Sequence, residues 1–71
     1  MTYTDSQWQT AYTRLLLVIS GYDELVEDED VTPAYSLAQM YTLRRAYLEG
    51  RRDDPFYDLL LKAGEGAAWL S

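Results

Sequence analysis

A run of apolar residues at heptad spacing limits what this chain can fold into. With Trp8 at heptad position a, Trp8, Leu15 and Tyr22 share that position. Ala11, Val18 and Leu25 then fall at d, and Tyr12, Ile19 and Val26 at e. Three apolar positions per heptad make a stripe wide enough to face a core, the pattern of an amphipathic helix. Thr4 and Gln7 stand at capping-box spacing with Asp5 in the first turn, so the pattern predicts one helix over 5–27. Gly21 lies outside the stripe, and a helix running through it gives up about 1 kcal/mol relative to alanine. Two alternatives are a helix that ends near Ser20 with Gly21 as its cap, and a strand over 15–19. The second lacks the alternation a half-buried strand requires.

Two cap-then-proline signals follow. Thr32 before Pro33 predicts a second helix over 33–49, stopped by Gly50, and Asp54 before Pro55 predicts a third over 55–63, stopped by Gly64. In the third helix Phe56, Leu59, Leu60 and Ala63 are spaced i, i+3, i+4 and i+7. The tail, 64–71, is loosened by glycine, with Trp69 and Leu70 placed to dock on the bundle. The expectation is an all-α, three-helix single domain over 1–71, packed as an oligomeric helical bundle. A chain of 71 residues buries only about 60% of its unfolded surface, so a partner subunit would add needed stability.

Composition narrows the chemistry. The chain has no cysteine and no histidine, so thiol nucleophiles, disulfides, thiolate metal sites and histidine-based triads are all excluded. The expectation is a non-enzymatic protein without metal or cofactor. Six basic against twelve acidic residues, a net charge of −6, argue against direct contact with nucleic acid or anionic membranes. A DNA-binding regulator is the weakest option, because the sole basic segment, 44–52, is short and flanked by acids. The sequence offers neither an apolar membrane span nor the basic start of a signal peptide, which makes the cytoplasm the expected location. In size and composition, though in no motif, the chain resembles the small acidic open reading frames of phages and mobile elements.

Three features point outward. The first is an acidic elbow of Asp23, Glu24, Glu27, Asp28, Glu29 and Asp30, with no Lys or Arg between Arg14 and Arg44. Carboxylates in the last turns of a helix oppose its dipole, so folding alone does not account for them. The elbow reads either as a solvated loop that aids solubility or as a docking patch for a basic surface, such as the nucleic-acid groove of another protein, which it would inhibit. A calcium loop does not fit, since Asp28 or Pro33 falls where the required glycine should be.

The second feature is a surplus of apolar surface on the first helix. Leu16 and Leu17 add to the stripe, so Trp8, Tyr12, Leu16, Leu17 and Ile19 together suggest self-association, against the simpler reading of one scattered surface leucine. The third is Arg44, which falls inside the apolar arc of the second helix. It is either a snorkelling stem with its head on a carboxylate or an interface arginine. Seven tyrosines and two tryptophans serve a small core or an interface equally well.

Overall fold

A computed structural model describes residues 3–28 and 32–69. The described elements are all helical: α1 Asp5–Ser20, α2 Tyr22–Glu27, α3 Leu37–Leu48, α4 Asp54–Ala63, and a closing 3-10 helix, η1, over Gly64–Trp69.

α1 begins as its sequence requires. The Gln7 amide donates to Thr4 Oγ1 at 3.1 Å and the Thr4 amide donates to Gln7 Oε1 at 2.8 Å, so the capping box closes in both directions. Its a and d positions deliver the core: Trp8, Ala11, Leu15 and Val18 are buried, and Leu25 of α2 joins them. α3 contributes Met40 and Leu43, and α4 contributes Phe56, Leu60 and Ala63. α3 runs antiparallel to α1. Tyr47 near its C-terminal end stacks on Tyr12, while Met40 near its N-terminal end shares a cleft with Val18 and Leu25.

Three expectations need correction. The first helix is not continuous to residue 27. It breaks at Gly21, whose ψ of 16° departs from helical geometry. The Gly21 amide still donates to the Leu17 carbonyl, and its own carbonyl accepts from the Leu25 amide, both at 3.0 Å. The break is therefore a local opening at the residue that gains least from staying helical, and the stripe survives it, since Leu25 remains buried.

The second helix starts at Leu37 rather than at Pro33. Ser36 is its cap, with the Gln39 amide on Ser36 Oγ at 3.2 Å and the Ser36 amide on Gln39 Oε1 at 2.8 Å. A reciprocal box satisfies two backbone donors, whereas Pro33 after Thr32 presets only one dihedral angle. The other end of α3 is a Schellman motif, in which the Gly50 amide bonds the Tyr47 carbonyl and the Arg51 amide bonds the Ala46 carbonyl, both at 3.0 Å. Gly50 sits at φ 100°, where a side chain would be strained.

The third helix is capped by Asp53 instead of Asp54, with Pro55 in its first turn. Its other end falls as expected, at Ala63 with Gly64 as the C-cap, and the chain then enters η1, which lies along α1. A Cβ on Gly64 would sit 2.9 Å from the Arg14 Cβ, so glycine here permits close approach rather than looseness. The Trp69 side chain and Leu70, expected to dock, lie outside the described side chains.

Ser36→Ala should cost about 1 kcal/mol, lowering the melting temperature by roughly 4–8 °C, while Thr32→Ala should leave it nearly unchanged. Circular dichroism melts of the two variants check which residue is the cap. Gly64→Ala should cost about 1–3 kcal/mol in the same assay, because neither α1 nor η1 can retreat without opening the core between them.

Candidate functional site

The end of the molecule near Trp8 is an aromatic and arginine cluster. Tyr3 stacks on Tyr57 with ring centroids 3.7 Å apart, and Trp8 meets Tyr57 edge-on at 5.0 Å. Tyr12 stacks on Tyr47 at 4.0 Å. The Arg52 guanidinium lies 3.8 Å from the Tyr47 ring centre and 5.5 Å from that of Trp8, while donating to the Tyr47 and Arg51 carbonyls. It therefore ties α1 to the end of α3. Removal of Tyr3 from water, and then the nearby Asp54 and Asp58 charges, raise the Tyr3 hydroxyl above its ordinary pKa.

Next to this cluster Arg51 donates Nε and Nη2 to the two oxygens of Asp53, at 2.6 and 3.2 Å, and sits over the Phe56 ring. Asp53 Oδ2 also accepts from the Phe56 amide at 3.1 Å, as the cap of α4. The Arg51 bond, helped by that amide and opposed by partial desolvation, holds the Asp53 carboxyl below the usual carboxylate range. These contacts organise the turn between α3 and α4 and absorb most of the aromatic residues. Tyr3, Tyr12, Tyr22, Tyr35, Tyr47 and Tyr57 all pack against the core; Tyr41 does not.

The elbow residues divide. Asp23, Glu24, Glu27 and Asp28 are exposed on and just after α2, while Glu29 and Asp30 lie outside the described residues. Among the described residues no lysine or arginine pairs with Asp23, Glu24 or Glu27. The break at Gly21 changes their energetics, because Asp23 and Glu24 now occupy the first turn of a new helix, where negative charge is favourable. Only Glu27 stays in a last turn, so the electrostatic cost of the elbow is smaller than the sequence suggested. Among the described residues no group of carboxylates comes together to hold a metal ion, and no helix is long and apolar enough to cross a membrane.

The apolar surplus of α1 is largely covered from within the chain. Trp8 is buried, and Tyr12 and Ile19 pack on the core. Leu16 is half-buried, and Leu17 keeps 50% of its surface exposed, beside Arg14 and the Ala67–Ala68 edge of η1. The sequence could not show this cover, because the rings that meet Trp8 and Tyr12, those of Phe56, Tyr57 and Tyr47, come from α3 and α4.

Arg44 is exposed and has no carboxylate partner among the described residues, so it does not snorkel toward one. It shares a shallow groove on α3 with Tyr41, Arg45 and Leu48. Arg45 makes an exposed pair with Glu49 at 3.6 Å, an arrangement worth little. Searches of protein-family models, curated proteins and solved structures return no match to this chain.

The Arg51–Asp53 tether has a pH signature. A carboxyl whose folded pKa is depressed adds stability above its unfolded value, near pH 4, and loses it as pH falls through the folded one. Asp53→Asn keeps a capping oxygen but loses the charge. It should therefore melt lower than the parent at pH 7, with the two melting temperatures converging by pH 2. A gap that stays constant down to pH 2 would show that the charge on Asp53 contributes nothing.

Proposed function

We propose that this chain is a non-enzymatic interaction protein whose acidic elbow docks on a basic surface of another protein, such as a nucleic-acid-binding groove, and blocks it. One observation supports the reading above the others. Asp23, Glu24 and Glu27 are exposed without a cationic partner among the described residues, in a chain whose Arg45 and Arg51 both pair with carboxylates. Carboxylates carried on one short helical element can take the place of successive phosphates in a groove lined by Lys and Arg. Such a partner is found mainly by electrostatic steering, which salt weakens. An acidic, cysteine-free chain fits work in the cytoplasm. The likeness in size and acidity to phage and mobile-element proteins fits an inhibitory role.

A second reading, self-association through α1, is supported by the half-exposed Leu17 beside Leu16. It would resist salt, and it would fail when both leucines become polar.

The first reading is tested by affinity capture from a lysate of the encoding organism at about 50 and 500 mM salt. Wild type should retain basic proteins at low salt only, and Asp23→Asn/Glu24→Gln/Glu27→Gln should retain at most a tenth as much with an unchanged melting temperature. Equal retention by that variant, or retention indifferent to salt, would remove the elbow from consideration.

A further inference from the structure

Along the outer flank of α3, aromatic, aliphatic and cationic side chains stand together at the surface. Leu37, Tyr41, Arg44 and Leu48 follow i, i+4, i+7 and i+11 spacing and so form one stripe beside the core-facing side of the helix. Leu48 is 64% exposed and Tyr41 48%, and Arg44 between them has no carboxylate partner among the described residues. In a chain that packs its other tyrosines against the core, this exception marks a surface. Tyrosine and arginine are also the residues that concentrate binding energy at interfaces.

The complement of this stripe is present on the same chain. On α2, Val26 is 50% exposed on the flank next to Asp23, about 100° around the helix from the buried Leu25, and Asp23 and Glu27 stand side by side on the outer face opposite Leu25. One surface is apolar with an unpaired cation; the other is apolar with unpaired anions. Within one molecule they do not meet, since Arg44 pairs with neither acid. We infer that the α3 stripe of one copy receives the α2 turn of a second copy, Arg44 between Asp23 and Glu27 and Val26 against Tyr41 and Leu48. The two surfaces differ, so the contact is heterologous: it repeats head to tail and builds rings or open chains rather than a two-fold dimer. The net charge of −6 opposes this at long range. At physiological salt, however, repulsion is screened beyond about 8 Å, and the docked charges would lie closer than that. One helical stripe against one turn is smaller than a standard interface, so the association is weak and needs concentrations of about 1 mM to observe.

This inference rests on the elbow being a docking surface, but its test can fail separately from that of the proposed function. Sedimentation equilibrium in about 0.15 M salt should show the wild-type mass rising with concentration past that of a dimer. Arg44→Ala/Leu48→Ser keeps the elbow and loses the stripe; Asp23→Asn/Val26→Ser/Glu27→Gln keeps the stripe and loses the elbow. Each alone should remain at the 8.2 kDa monomer mass. Their equimolar mixture retains one competent pair of surfaces and should stop at twice that mass. A wild type that stays monomeric at about 1 mM, or that stops at a dimer, overturns the inference. So does a mixture in which the two variants remain monomers, or a variant that associates as wild type does. None of these outcomes affects whether the elbow captures a basic protein at low salt.

Discussion

The fold depends on a single demand, that the apolar stripe of α1 be covered. Every other element packs against it: α3 and α4 on one side, η1 along another, and α2 as its own continuation past Gly21. The residues that answer the demand are of two kinds. Aliphatic side chains fill the middle, where Leu15, Val18, Met40 and Leu60 are fully buried around the Phe56 ring. Aromatic rings and arginines close the end near Trp8, where Arg52 joins two helices by lying over their rings and donating to backbone carbonyls. A planar guanidinium can do both at once, which an ammonium cannot. The charged turn after Gly50 is thus part of the packing, although its composition suggests only a solvated loop.

Much of this was legible from the sequence. The heptad stripe named the buried face of α1 correctly through Leu25, and the Thr4–Gln7 box gave its start. Local starts were harder wherever two signals competed. At residues 32–39 the Thr-Pro pair and the Ser36–Gln39 box both read as helix starts, and the one that satisfies more backbone donors prevails. Glycine was the least legible residue. Gly21, Gly50 and Gly64 look alike in sequence, yet one opens a helix, one supplies a left-handed cap, and one lets two backbones approach. Only the surroundings distinguish them.

The surfaces followed the same pattern. Of the acids clustered in sequence, Asp23, Glu24 and Glu27 stand exposed on α2, while Glu29 and Asp30 lie outside the described residues. The surplus on α1 was overstated because rings from distant segments meet it, Phe56 and Tyr57 on Trp8 and Tyr47 on Tyr12. Arg44 was legible as unusual but not as exposed. Its position depends on how far α3 is rotated toward α1, and that rotation is set by the Tyr12–Tyr47 stack and by burial of Met40 and Leu43.

The packing of η1 against α1 also bears on how the chain is made. α1 is synthesised before η1, which shields its side near Arg14 and follows some fifty residues later. Contacts between such distant segments cannot form during early elongation, so the apolar run of residues 15–19 waits uncovered while the rest is translated. The acids that follow it at once, Asp23, Glu24 and Glu27, emerge while it is still bare. Charges placed next to a bare apolar segment disfavour its association with neighbouring chains, so the sequence order of α1 and these acids lowers the hazard of leaving 15–19 uncovered.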